Sequence, residues 1–246
     1  MPTFCITGTN RGLGLEFVRQ LSASPANTIL ALVRGRDTDL TDLKAAIKAG
    51  GDTQILYCDT GKPESIQAFA DEAKSLLAGK RIDVLVNNAG AHISSWQSSL
   101  SLDADDLLRT MQINVFGPAK MVQSLNAAEL LSPQVRVINM TSGLASMTET
   151  LGSPGNTNRK CCPYSISKAA LNMLSLHQSG DLRAKAGLSG AVVIVMDPGW
   201  VKTAMGGAGA ILEPHQSISG MLRVIEGLTD ADNGGFFSHS GAKKPW

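Results

Sequence analysis

The segment Tyr164-Ser165-Ile166-Ser167-Lys168 sets a phenol and an ammonium four residues apart, hence on one face of a helix. A free tyrosine titrates near pH 10, roughly, and a positive charge beside it favours the phenolate, which brings the group closer to the range of a working acid or base. Taken alone the spacing is unspecific, because exposed helices often carry it by chance. What surrounds it decides its meaning.

A second chemistry-bearing cluster lies near the start of the chain. Thr7-Gly8-Thr9-Asn10-Arg11-Gly12-Leu13-Gly14 follows one apolar run and precedes a helical pattern through Phe17, Val18 and Leu21. Glycines let the backbone turn sharply and approach a pyrophosphate, while free N–H groups and the positive end of the helix attract its charge. The spacing Gly-x-x-x-Gly-x-Gly differs from the Gly-x-Gly-x-x-Gly fingerprint, so a merely tight turn between strand and helix is the competing reading. The next apolar run ends Leu32-Val33-Arg34-Gly35-Arg36. At that point of a dinucleotide site an acidic residue takes the ribose 2′-hydroxyl, and an arginine accommodates a 2′-phosphate. Arg11, Arg34 and Arg36 could converge on such a phosphate through charged, bidentate hydrogen bonds. NADP(H) is the cofactor this favours. The alternative is that Arg34 and Arg36 are solvated loop charges and Asp37 holds the ribose.

These residues need a scaffold, and its period is visible. The short apolar runs TFCIT, TILALV, TQILYC, IDVLV, VRVINM, AVVIVM and GGFF alternate with segments of helical period. That alternation predicts repeated βαβ units around a parallel sheet of about seven strands, with helices on both faces. Ile66, Phe69, Ala70, Ala73, Leu76 and Leu77 recur at helical steps and form one apolar stripe. Asp103 to Leu131 and Tyr164 to Ala184 read as two long helices, ended by Ser-Pro and by Gly187. Gly143 to Pro163 and Gly206 to Ala210 resist assignment; structureless segments of this kind are usually functional.

Composition narrows the field further. Apolar residues make up 43% and charged residues 17% of 246 residues, the balance of an ordinary globular domain. One domain spanning 1–246, with binding and catalytic residues together, is expected. A net charge of +1 without a Lys/Arg cluster speaks against nucleic acid as partner. No run of 18 apolar residues exists, and the first residues lack a signal-like pattern, so a cytoplasmic chain without a membrane span is expected. Cys5, Cys58, Cys161 and Cys162 show neither metal spacing nor a disulfide framework, and the four histidines are scattered, so reduced thiols and no metal are expected.

Asn87-Asn88-Ala89-Gly90 follows the fourth run, Asn114 lies in the next helical segment, Ser142 follows the fifth run and Pro198-Gly199 follows the sixth. With the glycine turn and the Tyr/Lys pair, these motifs come in the order found in the short-chain dehydrogenase/reductase family, which the chain resembles over nearly its whole length. Within that family, Asp197-Pro198-Gly199-Trp200-Val201-Lys202-Thr203-Ala204-Met205-Gly206-Gly207 and the ending from Gly234-Gly235-Phe236-Phe237 to Pro245-Trp246 resemble the sniffer and C-factor-like carbonyl reductases. One departure stands out. The 21 residues between Ser142 and Tyr164 are more than the family normally has.

The resemblance implies a Rossmann-type αβα sandwich that moves a hydride between NADP(H) and a carbonyl or alcohol carbon of a small molecule. It makes Tyr164 the general acid, Ser142 a hydrogen-bond donor to the substrate oxygen, and Lys168 both the partner of Tyr164 and a ribose contact. Asn114 would hold a water linking Lys168 to solvent. Gly8, Asn10, Arg11, Gly12, Leu13 and Gly14 would cradle the phosphates, with Arg34 on the 2′-phosphate. Asp59 and Thr60 would flank the adenine, Asn87, Ala89 and Gly90 the adjacent ribose, and Pro198, Gly199, Val201 and Thr203 the nicotinamide and its carboxamide. Plainer roles compete: Asn114 could satisfy backbone groups in a bent helix, and Thr60 could cap the helix beginning near Pro63. His92, Ser94, Trp96, Ser146, Met147, Trp200 and Met205 are candidate pocket walls by position alone. A cofactor-bound sensor without turnover, or a non-redox cyclisation in the same pocket, is the other class of function. Homo-oligomerisation is left open.

Overall fold

The structure is a computed structural model, and it describes residues 1–93, 97–152 and 161–246. Seven strands form one parallel sheet in the order β3-β2-β1-β4-β5-β6-β7: β1 (Thr3–Thr7), β2 (Thr28–Val33), β3 (Asp52–Tyr57), β4 (Ile82–Asn87), β5 (Leu131–Met140), β6 (Val192–Asp197) and β7 (Phe236–Ser238). The order reverses between β1 and β4, and both strands are paired there through Phe4–Ile6 and Val84–Val86. Open α/β sheets bind ligands beyond the carboxyl ends of the strands at such a switch point. The glycine turn after β1 and Asn87-Asn88-Ala89-Gly90 at the end of β4 meet there.

β1, β2 and β6 are buried along their whole length, the signature of a parallel sheet covered on both faces. Alternate residues feed two cores. Cys5, Leu30, Leu32, Leu85, Val137 and Val193 pack with Phe69, Met121 and Leu125 on one face. Phe4, Ile6, Ile29, Ala31 and Met196 pack with Phe17, Ile218 and Met221 on the other. The first face is covered by α3 (Pro63–Leu77), α5 (Gly117–Ala127) and α7 (Cys162–Ala184). The second is covered by α1 (Gly12–Leu21), α2 (Thr41–Ala46) and α8 (Pro214–Gly227). The single α/β domain with a seven-strand parallel sheet is as the sequence leads one to expect.

Three expectations about elements are corrected. The segment 103–131 is not one helix: α4 (Ala104–Met111) runs into a π-helical turn, Gln112–Phe116, before α5 begins. Leu131 belongs to β5, and Ser132-Pro133 lies inside that strand rather than ending a helix. Proline cannot donate to a ladder, and the β4–β5 register shifts where Ile82 pairs with Leu131 but Val84 with Arg136. The segment 143–152 is ordered as a 3-10 turn, Gly143–Ala145, and a short α6 (Met147–Leu151); the remainder of the unassigned stretch through residue 160, and the wall candidates Ser94 and Trp96, lie outside the described residues. Among the described residues no helix is long and apolar enough to cross a membrane.

Candidate active site

The glycine turn is shaped by what its glycines exclude. Gly8 and Gly12 have φ of 70° and 58°, which side chains rarely tolerate. A Cβ on Gly14 would overlap the Gly8 carbonyl oxygen and lie 2.6 Å from Asn88 Nδ2, so helix and strand meet at bare backbone. Asn88 Nδ2 donates to the Thr7 carbonyl at 2.7 Å and the Gly8 carbonyl at 3.2 Å, while Thr7 Oγ1 accepts from the Ala89 N–H at 2.8 Å. These bonds lock the β1 and β4 turns together. Thr7 and Asn88 are not among the expected site residues; Asn88 is visible as part of the Asn-Asn-Ala-Gly motif, but its reach back to β1 is not.

The start of α1 has no acidic residue and no side-chain cap. Its first N–H groups are therefore free to hold an anion. Thr203 approaches the same turn, with its methyl 3.7 Å from where a Gly12 Cβ would stand. The turn fits a dinucleotide pyrophosphate, because close packing at Gly8 and Gly14 leaves bare backbone in front of a helix start without a side-chain cap. Arg11 and Arg34 are exposed beside it, whereas Arg36 lies over the Tyr57 ring at 4.8 Å. Asp37 Oδ1 would sit 2.7 Å from a Cβ on Gly35, so this carboxylate folds back over its own turn.

Other expected cofactor contacts fall differently. Asn87 is buried and donates to Asn139 Oδ1 at 2.8 Å, so its side chain is turned into the sheet and only its backbone can border a ribose. Asp59 Oδ1 accepts from the Gly61 N–H at 3.0 Å, and the backbone of Thr60 packs against Gly117. Thr60 does not cap α3, whose cap position is Lys62 without a side-chain bond. Leu13 packs partly into the core. Gly199, with φ 79°, donates its N–H to Asp197 Oδ1 at 3.0 Å, and the Pro198 carbonyl accepts from Ser217 Oγ at 2.7 Å. Val201 is buried and bridges to Leu212.

The reactive groups gather across the cleft. α7 presents Tyr164 and Lys168 on one face, and the Ser142 side chain, just beyond β5, bears on the Tyr164 phenol and favours its ionised form. Ser142 Oγ also accepts from the Leu144 N–H at 3.2 Å, which fixes the turn that carries it. Lys168 is buried, its Nζ donates to the Met140 carbonyl at 2.7 Å and lies 5.7 Å from the Tyr164 ring centre. The His92 ring packs against the Tyr164 ring at 4.9 Å between centroids, half-buried, with no hydrogen-bond partner for Nε2 among the described residues. Burial lowers His92 below its ordinary range.

Asn114 sits in the π turn, fully buried. Its Oδ1 accepts from the Ala91 N–H at 2.8 Å, and its Nδ2 donates to the Ala91 carbonyl at 2.9 Å and to Ser167 Oγ at 2.9 Å. The side chain thus clamps the loop after β4 to α7, and the backbone groups it satisfies belong to that loop and not to a bent helix. A Cβ on Gly90 would be 3.3 Å from Asn114 Oδ1 and 3.4 Å from Lys168 Nζ, so glycine at 90 lets these groups close up.

The electrostatics differ from the expectation that Lys168 brings Tyr164 toward neutrality. Burial pushes the phenol up, Asp197 adds to this, and the neighbouring Ser142 side chain pulls it down. Burial also drags Lys168 down to about 8, so it is charged at neutral pH but loses its proton well before a free lysine does. At neutral pH the phenol keeps its proton, the form a general acid requires. Among the wall candidates, Ser146 is instead buried as the cap of α6, accepting from the Glu149 N–H at 3.1 Å. Met147 and Met205 are exposed. Trp200 organises its own loop: Nε1 donates to the Gly206 carbonyl at 2.7 Å, and a Cβ on Gly209 would strike its ring at 2.7 Å.

A glycine turn at the switch point of a parallel sheet, facing a serine, tyrosine and lysine on the adjoining elements, defines a Rossmann-type nucleotide-dependent oxidoreductase. The profile of the short chain dehydrogenase family matches residues 2–210, and the chain belongs to that family. The C-signal protein of Myxococcus xanthus is 38% identical over 165 residues, covering 67% of this chain and 93% of that protein. The crystal structure of an NADPH-bound carbonyl reductase from chicken fatty liver superposes with a TM-score of 0.88 at 28% identity, covering 100% of this chain and 99% of that one. The carbonyl reductase Sniffer of D. melanogaster gives 0.86 at 28% identity, with both chains covered completely.

Proposed function

We propose that this chain reduces the carbonyl group of a small molecule with NADPH, and that Tyr164 is the proton donor. The observation that carries this reading is the protonated Tyr164 phenol with the Lys168 ammonium 5.7 Å from its ring, one helical turn away, and the Ser142 side chain bearing on it. Held by Gly8, Gly12, Gly14 and the start of α1, with Arg11 and Arg34 toward a 2′-phosphate, NADPH would supply the hydride to the carbonyl carbon. Ser142 and Tyr164 hydrogen-bond the carbonyl oxygen, and Tyr164 delivers its proton there as negative charge grows. Donors fixed beforehand stabilise that charge without reorganising. Lys168 then faces the phenolate that remains and favours it while charged. The likeness to the chicken-liver carbonyl reductase and to Sniffer supports this direction of reaction.

Loss of NADPH absorbance over a panel of isatin, quinones, aromatic ketones and polyketide-like ketones tests the proposal. Consumption with at least one is expected, and Tyr164→Phe should cut its kcat by at least about a hundredfold with little change in NADPH affinity. Reduction by Tyr164→Phe at close to the native rate would overturn the role of Tyr164, and no consumption across the panel would favour a cofactor-bound protein without redox turnover.

A further inference from the structure

Behind the site lies a charged cluster that neither the glycine turn nor the proton donor requires. β7 turns back through Gly241, with φ 90°, so that the Ser238 N–H donates to the Ala242 carbonyl at 2.9 Å and the Lys244 N–H to the Phe236 carbonyl at 2.8 Å. This hairpin delivers the Lys244 ammonium to Asp197 at 3.2 Å and Glu149 at 2.9 Å. Asp197 ends β6 and Glu149 belongs to α6. A side chain at Gly143, next to Ser142, would lie 3.2 Å from Asp197, 3.3 Å from Glu149 and 3.4 Å from Lys244. The tail is fastened a second time, because the Thr148 N–H and hydroxyl both donate to the Trp246 main-chain oxygen, at 3.0 and 2.7 Å. The Trp246 ring packs on Phe236 with centroids 5.4 Å apart.

We propose that Lys244 is a positioning residue of the site: clamped between two carboxylates, it balances Asp197 behind Tyr164 and ties the tail to the loop that carries Ser142. The inference rests on the proposed roles of Tyr164 and Ser142. Exposed ion pairs contribute little, but the Lys244 and Asp197 side chains are only 17% and 12% exposed, where solvent screens them far less. Burial works against the ammonium, yet its contacts with Glu149 and Asp197 outweigh that and hold it above its ordinary range. Among the described residues, the groups facing Tyr164 are Lys168 from its own helix, Cys161 just before it, His92 after β4, Ser142 after β5 and Asp197 from β6. Burial lowers His92 and Lys168, so both are neutral in the alkaline range where the phenol ionises, and there Asp197 bears on it with Lys244 as its counter-charge. Removing Lys244 leaves Asp197 uncompensated and makes the phenol harder to ionise.

The chain has two tyrosines, so Tyr57→Phe isolates Tyr164 for a titration that needs no turnover. Biosynthetic difluorotyrosine, a stronger acid, brings the midpoint into the range where the fold survives. Lys244→Met should raise that midpoint by about half a pH unit or more, Lys244→Arg should restore it, and adding Asp197→Asn to Lys244→Met should bring it back to the native value or below. Lys243→Met, a neighbouring charge change, should leave it in place. Should Lys244→Met fail to fold, Glu149→Gln gives the converse test, since it frees Lys244 for Asp197 and lowers the midpoint. Coincident midpoints in Lys244→Met, or in Glu149→Gln if that variant must serve, would overturn the proposal. During turnover, the pH profile of alcohol oxidation should shift upward with the midpoint in Lys244→Met while the KM for NADP stays constant. A native protein that turns over nothing would overturn the reductase reading, and the titration alone would then decide the role of Lys244.

Discussion

The Lys168 ammonium donates to the Met140 carbonyl at 2.7 Å, two residues before Ser142. This contact anchors the helix of Tyr164 to the strand that delivers Ser142, and it withdraws a charge from water. Burial lowers the lysine from 10.5 to about 8. Between those values the unfolded chain holds a proton that the folded chain has released, so this group's contribution to stability rises with pH through that window. Below about pH 8 the cost of burying the charge is fully present. It amounts to about 3 kcal/mol, against about 1 kcal/mol gained from the Met140 bond. Lys168→Met should therefore be more stable than the native chain at pH 7, by about 2 kcal/mol. Its advantage should vanish as pH approaches 10.5. Urea unfolding at both pH values reads this, and a variant less stable than native at pH 7 would contradict it.

Asn114 makes a different forecast. It saturates both backbone groups of Ala91 and bonds Ser167 from a fully buried position. Asn114→Leu removes the partners of the half-buried Ala91 N–H and carbonyl, at up to about 1–3 kcal/mol for each group left unsatisfied. A loss of several kcal/mol in urea unfolding is expected, together with faster hydrogen exchange around Ala91. An Asn114→Leu protein of native stability would show that the clamp contributes nothing.

The sheet is legible because its strands are short apolar runs, three of them, β1, β2 and β6, buried from end to end, and the glycine turn because side chains at Gly8 and Gly14 would collide with the backbone there. What stays hidden in the sequence depends on partners distant in the chain. Nothing within Gln112–Phe116 marks a π turn; the turn holds Asn114, which reaches across to Ala91. Ser132-Pro133 reads as a helix stop, and the shifted register that accommodates a proline inside β5 exists only once β4 lies beside it. The rise of the Tyr164 phenol is hidden for the same reason: Lys168 is near in sequence, but the causes of the rise are burial in the folded chain and Asp197, from the end of β6. Lys244 carries no local signal at all, because its two carboxylates belong to α6 and β6.

Gly14→Ala tests the cradle. The added methyl would meet the Gly8 carbonyl oxygen and Asn88 Nδ2, and backbone atoms cannot rotate out of its way. Overpacking of this sort costs about 1–3 kcal/mol, and relief would have to come from displacing α1 from β1, the gap where the pyrophosphate is proposed to sit. The variant should lose NADPH affinity by more than about tenfold in fluorescence titration while remaining folded by circular dichroism. Native affinity in Gly14→Ala would place the phosphates elsewhere.

Arg34 and Arg36 look equivalent in the sequence, but their surroundings separate them. Arg36 lies over the Tyr57 ring at 4.8 Å, an arrangement worth about 0.5–1 kcal/mol at an exposed site, and it must give up that contact to reach a phosphate. Arg34 is exposed beside the glycine turn, and Asp37 is folded over Gly35. A charged hydrogen bond to a 2′-phosphate contributes about 1.5–3 kcal/mol. Arg34→Ala should therefore weaken NADPH binding about tenfold or more and leave NADH binding nearly unchanged, while Arg36→Ala should have the smaller effect on NADPH. Isothermal titration of both variants with both cofactors decides the matter. Equal affinity of the native chain for NADPH and NADH would remove the 2′-phosphate assignment altogether, and a larger loss in Arg36→Ala would move it from Arg34 to the guanidinium on Tyr57.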